Sequence, residues 1–219
     1  MMEQSIPFLI GTAASLGFIH TVSGPDHYLP FVAMAKVRKW SDMRTAWVVS
    51  LCGIGHVLSS VLIGFIGIAA GIAIGKIEFF EDVRGSLASW LLFTVGLIYT
   101  VWAIIHRLRN PHHTHSHADS KTSAKKTMTF WVLFTIFVFG PCEPLIPILM
   151  YPAADHNMMA VVLIATIFSV TTISTMLIMT FLILKGIKVM SFEKLHHYQH
   201  ILAGATLTIC GAGIIFLGL

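Results

Sequence analysis

The chain has 219 residues, 56% of them hydrophobic and only 11% charged, with a net charge of +4. Soluble domains carry about 25% charged residues, so this composition excludes a soluble enzyme and describes a polytopic membrane protein. The basic residues lie in short connections between apolar segments rather than in a patch, so no nucleic acid is expected as a partner.

A bilayer core of about 30 Å needs about 20 helical residues. Six segments qualify: Ile6 to Ala35, Thr45 to Gly75, Ser86 to Ile105, Met128 to Pro152, Met158 to Leu184, and Ile201 to Leu219. The N-terminus lacks a basic stretch ahead of its apolar run, so no cleavable signal peptide is expected. The first segment contains Gly24-Pro25-Asp26-His27 and the fourth contains Gly140-Pro141-Cys142-Glu143. Proline removes a backbone donor and clashes with the preceding turn, so both segments are expected to break there.

The connections alternate in charge. Lys36, Arg38, Lys39 and Arg44 follow the first segment; Arg107, Arg109, Lys121, Lys125 and Lys126 follow the third; Lys185, Lys188 and Lys194 follow the fifth. The second connection offsets Lys76 and Arg84 with Glu78, Glu81 and Asp82, and the fourth has no basic residue. The positive-inside rule places the odd connections in the cytoplasm and both termini outside. A bacterial inner membrane is the expected location, with the lipid bilayer as a partner.

The two halves match at an offset of about 116 residues. Gly24-Pro25-Asp26-His27-Tyr28-Leu29 aligns with Gly140-Pro141-Cys142-Glu143-Pro144-Leu145, and Gly96-Leu97-Ile98-Tyr99 with Gly213-Ile214-Ile215-Phe216. Three spans per half invert the second half, an arrangement found in transporters with the site near the midplane. The expected fold is all-α, six transmembrane helices in two inverted three-helix repeats, the first and fourth helices broken at Gly-Pro. Residues 1–105 form the first repeat, 106–127 a His-rich cytoplasmic linker, and 128–219 the second repeat.

Asp26 and Glu143 are the two acids placed inside apolar stretches; the others, Glu81 among them, are assigned to the N-terminal start or to polar connections. A carboxylate in hydrocarbon costs about 3 kcal/mol or more and persists where it has a partner or a task. His20, His27 and His56 are the histidines well inside spans. Imidazole with carboxylate suits a divalent ion such as Ni, Co or Zn. On an unbroken helix, positions 20 and 27 lie about 10 Å apart, too far for one ion with bonds of about 2 Å. A break at Ser23-Gly24-Pro25 can bring them together. The candidate metal residues are therefore His20, Asp26, His27 and His56. Glu143 either completes this site or takes a counter-proton, and Cys142 stands beside it in sequence. Thr171, Thr172, Ser174 and Thr175 crowd the fifth segment, where they either line the path or serve ordinary helix packing.

The run from His20 to His27, the Gly55-His56 pair and Gly140-Pro141-Cys142-Glu143 resemble the NicO and UreH-like group of nickel/cobalt transporters. That group belongs to a superfamily with lysine exporters and DsbD-type membrane electron carriers. Five residues, Thr21 to Pro25, separate His20 from Asp26, as in the UreH-like branch. The resemblance implies a six- or seven-helix permease whose ion is held by the His and Asp of the first segment and the His of the second.

The connection from Pro111 to Asp119 carries His112, His113, His115 and His117. Such a tract can capture divalent ions, presenting them for export or receiving them after import, with a cytoplasmic metallochaperone as a candidate partner. His196, His197 and His200 lie at the same expected edge.

The function expected from these residues is secondary transport of a divalent transition metal, coupled to protons through histidine. The metal is the transported substrate and the chain is not an enzyme. Two rivals stand beside it. A DsbD-type thiol-disulfide carrier needs one cysteine at each helix break, where this chain has Cys142 but Asp26; Cys52 remains a second thiol for it. An exporter of a small organic solute explains the repeat but not the histidines. For topology, a cysteine placed at Thr122 in a background without Cys52, Cys142 and Cys210 should react with an impermeant thiol reagent only from the cytoplasm. One at Ala154 should react only from outside. The opposite pattern would reverse the orientation.

Overall fold

Gly-Pro interruptions divide the chain into more helices than its hydropathy suggests. The computed structural model describes residues 2–71, 74–109, 122–140, 142, 144–154, 157–189 and 198–218. Among these the regular elements are all helical: α1 Met2–Ser23, a 3-10 turn Pro25–His27, α2 Leu29–Arg38, α3 Asp42–Ala69, α4 Ile74–Arg109, α5 Thr122–Phe139, α6 Leu145–Ala154, α7 Met158–Val189 and α8 Gln199–Leu217.

Among the described residues five stretches are long and apolar enough to cross a membrane: Ile6–Ser23, Asp42–Ala69, Gly75–Arg109, Met158–Gly186 and Gln199–Leu217. The chain is thus an integral membrane protein in a lipid bilayer. The fourth expected segment, Met128 to Pro152, breaks as the Gly-Pro predicts, into α5 and a ten-residue α6; at about 1.5 Å per residue α6 reaches only about half of a bilayer core, which the sequence reading did not anticipate. The first segment is split in the same manner, with a ten-residue α2 after the 3-10 turn. Pro30 sits in the first turn of α2, where a missing N–H costs nothing.

A second difference concerns residues 76–85. Assigned above to a polar connection, they form the first turns of α4, which starts at Ile74 and runs past residue 105 to Arg109. Ile77, Glu81, Ala88 and Leu92 share a buried face there, a helical spacing of four, seven and four residues.

Each long helix turns its bulky apolar side chains outward. On α3, Trp47, Leu51, Ile54, Leu58, Leu62 and Ile66 are exposed, while Cys52, Gly53, His56, Ser60, Gly64 and Gly67 face inward. Lipid accepts the first set, and the polar members of the second are shielded by protein. The N-terminus of α3 is capped by Ser41, whose hydroxyl accepts the backbone N–H of Arg44 at 3.3 Å, satisfying one of the helix's orphan donors.

The closest seam joins α4 and α8, which run antiparallel. A Cβ on Gly204 would lie 2.7 Å from the backbone N of Thr100, and one on Gly211 would lie 2.5 Å from that of Phe93. Backbones approach this closely only through small residues, the usual membrane solution in the absence of a hydrophobic drive between helices. Gly211→Val should therefore cost about 1–3 kcal/mol through overpacking, seen as a lower Tm in detergent. Gly186→Ala, where a Cβ meets nothing within 4 Å, should leave Tm unchanged or slightly raised.

Candidate metal centre

The first break builds one side of the site. Helix α1 ends at Ser23, where Gly24 N–H still donates to His20 O at 3.1 Å. The chain then turns through Pro25–His27: His27 N–H donates to Gly24 O at 3.1 Å, and Tyr28 Oη donates to Val22 O at 3.2 Å. These bonds satisfy carbonyls that the lost helix would leave bare. A Cβ at Gly24 would come within 2.6 Å of His27 Nδ1, so only glycine admits the imidazole folding back over the turn.

The turn closes the gap between positions 20 and 27. Their ring centroids are 4.6 Å apart, and His56 on α3 lies 5.2 Å from His27 and 6.4 Å from His20. One donor atom from each of the three lies within 4.8 Å of the others. Around a tetrahedral ion with bonds of about 2 Å, nitrogens sit about 3.3 Å apart, so side-chain rotations of an ångström or so complete the fit.

Tautomers favour this use. His27 Nδ1 is 3.0 Å from Gly24 O, and His56 Nδ1 is 3.2 Å from Phe137 O. A carbonyl only accepts, so each Nδ1 carries a proton, and in the neutral ring each Nε2 keeps its lone pair. Nε2 of both rings is buried with no hydrogen-bond partner. Asp26 stands one step back: its Oδ1 is 3.3 Å from His27 Nδ1, and it is outside the set of converging donors. Its place is that of a carboxylate orienting the His27 imidazole.

The second break supplies the opposite wall. Helix α5 ends at Phe139, and Gly140 N–H donates to Ile136 O at 2.9 Å. A Cβ on Gly140 would sit 3.1 Å from His56 Nδ1. Cys142 is fully buried, with Sγ 4.0 Å from His20 Nε2. Of the other residues named from sequence, Thr172 is buried and packs against Gly17 of α1, and Thr171 accepts the hydroxyl of Thr175 through its carbonyl; neither lines the histidine cavity. Glu143, His112, His113, His115 and His117 lie outside the described residues.

A charged pair unrecognised in the sequence sits beside the second break. Glu81 is 1% exposed and forms an ion pair with Arg84. Ser60 Oγ donates to Glu81 Oε2 at 3.0 Å, Cys142 N–H donates to the same oxygen at 3.4 Å, and Arg84 Nη2 donates to Gly140 O at 3.1 Å. Arg84 thereby places a cation at the C-terminal end of α5, where the helix dipole is negative. The i,i+3 spacing on one helix face was the available signal.

The histidines open onto a cavity of about 550 Å³ that also touches Asp82, Ser86 and Ser89 of α4, Ile214 of α8 and Gly218 just past its end. It extends toward the end of the bundle that holds the start of α4 and the end of α8. The class is thus a helical membrane protein with a buried polar site between two broken helices.

A family model described as the cytochrome c biogenesis protein transmembrane region, DsbD_2, matches residues 29–215. The chain belongs to this family. It is the type of membrane protein weighed above as a rival, and the match does not extend to the nickel/cobalt group that the motifs resemble. No curated protein and no solved structure shows significant similarity to the chain.

Removing one partner of a buried pair leaves an uncompensated charge and costs about 3–5 kcal/mol. Glu81→Ala and Arg84→Ala should each lower stability on this scale in detergent denaturation. The double variant should cost less than the sum by at least about 1 kcal/mol. Additive effects would show the pair to be energetically idle.

Proposed function

We propose that the protein carries a divalent transition-metal ion across the membrane, held in transit by His20, His27 and His56, with Asp26 as the carboxylate behind His27. The observation that carries this reading is the convergence of three imidazoles, two with buried Nε2 atoms lacking any partner. An unsatisfied buried acceptor costs about 1–3 kcal/mol, a cost that metal binding would remove. In this reading the protein performs, within a DsbD-type family, the kind of task its motifs share with NicO and UreH-like permeases.

The inverted repeat read from the sequence would support a transport cycle. Exchanging α1, α2, α3 and α4 with α5, α6, α7 and α8 maps several pairings onto each other: α1 on α7 becomes α5 on α3, α2 on α8 becomes α6 on α4, and α2 on α7 becomes α6 on α3, while α3 on α7 and α4 on α8 map onto themselves; among the described residues α4 on α5 has no matching pairing of α8 on α1. A site between such halves is reached from either side by rocking one against the other. The sequence has no nucleotide-binding motif, so the driving force is an ion gradient, with protons competing for the imidazoles. His112 to His117 would raise the local metal concentration on the cytoplasmic side.

A second reading, thiol-disulfide electron transfer, is favoured by the family match and by Cys142 at the second break. It requires a second thiol within reach. Cys52 packs with Phe31, Val49, Leu133 and Met176, Cys210 with Leu92, Ile136 and Leu207, and Cys142 with Leu145, Leu149 and Phe168. The three thiols thus sit in three separate core clusters, and Asp26 occupies the slot opposite Cys142.

Purified reduced protein should gain thermal stability with Zn2+, Co2+ or Ni2+, by about 2.7 kcal/mol at a hundredfold excess over Kd. His20→Ala, His27→Ala and His56→Ala should each lose most of that gain and abolish metal uptake in proteoliposomes. Wild-type transport by any two of these variants would end the assignment. A mixed disulfide trapped between Cys142 and a partner thiol, with no metal effect, would establish electron transfer instead.

A further inference from the structure

We infer that Cys142 is the fourth donor of the histidine site, so that the carried ion is thiophilic, a divalent ion of the Zn2+ type. This rests on the metal-transport reading and narrows it. Around a tetrahedral ion with a sulfur bond of about 2.3 Å and nitrogen bonds of about 2.0 Å, sulfur and nitrogen stand about 3.5 Å apart. Cys142 Sγ and His20 Nε2 are already 4.0 Å apart. The sulfur comes from the half of the chain opposite the three imidazoles; it stands nearest His20 and outside the 4.8 Å set that the imidazoles form, so it joins them by a small approach of the second break toward the first.

Two features hold the sulfur there. The Cys142 N–H is tied to Glu81 Oε2, and the nearby Gly140 carbonyl is tied to Arg84 Nη2. The Glu81–Arg84 pair therefore fixes the backbone on both sides of the break, and these two are positioning residues for the ligand. The side chain is fully buried among apolar neighbours, Leu145, Leu149 and Phe168 among them. The unpartnered Nε2 atoms of His27 and His56 are likewise sealed from water. A set of three imidazoles and one thiolate is tetrahedral and soft, a combination that suits zinc better than ions preferring octahedral oxygen or square-planar nitrogen.

Co2+ is the probe, because a cobalt–thiolate bond gives a charge-transfer band in the near ultraviolet that imidazole alone does not. Co2+ titrated into the reduced full-length protein in detergent should produce that band, and Zn2+ should bleach it. Cys52→Ser/Cys210→Ser, in which Cys142 is the remaining cysteine, should keep the band. Cys142→Ser should lose it, and its Zn2+ affinity should fall at least about tenfold, equivalent to about 1.4 kcal/mol. Glu81→Gln should reduce the band per bound Co2+, a spectroscopic change that a loss of stability alone would not give. Co2+ bound without the band, yet abolished by His20→Ala, would overturn the thiolate and leave the histidine carrier intact. No Co2+ binding at all would overturn both.

Discussion

Broken helices inside a membrane must find partners for the backbone groups they release, and the rest of this structure depends on how that is done. Each unsatisfied group in hydrocarbon costs several kcal/mol. At the first break the chain satisfies itself: Tyr28 reaches back to Val22 O, and His27 bonds to Gly24 O. At the second break the partners come from the other half. His56 bonds to Phe137 O and Arg84 to Gly140 O. The imidazole that faces the site thus also caps the opposite break. Backbone satisfaction and site geometry are one arrangement, which places the polar centre between the halves.

Close packing keeps this arrangement in register. The glycines of α4 and α8 let two backbones approach within side-chain distance, and Gly55 on α3 brings Val138 and Phe134 of α5 against the residue preceding His56. A displacement of α5 along α3 would therefore move Phe137 O away from His56 and open the second wall of the cavity. Such a coupling makes the site sensitive to the relative position of the two halves.

Family membership and site chemistry answer different questions. The match over residues 29–215 shows the scaffold of the cytochrome c biogenesis transmembrane type, and a scaffold hosts whatever its critical positions carry. Here those positions hold Asp26, His27 and Cys142 rather than a cysteine on each side.

Hydropathy alone determined that this chain spans a membrane and where it breaks, because a bilayer permits few solutions and Gly-Pro allows fewer still. The same contrast made His20, His27, His56 and Asp26 legible, since polar groups stand out in apolar runs. The division of the fourth segment into α5 and α6 was only half legible: Gly-Pro marked the break, but not that α6 is too short to cross. Glu81 and Arg84 were hidden for the opposite reason. Near Glu78 and Asp82 they read as part of a solvated connection, and only the fold brings Ser60, Gly140 and Cys142 around them. Asp26 was recognised, while its contact with His27 Nδ1 came only from the fold, because sequence gives its neighbours and not the direction of its carboxylate. What tertiary structure decided is which donors converge: ligand geometry is set by side chains from helices far apart in the chain, and no local spacing encodes the distance between them.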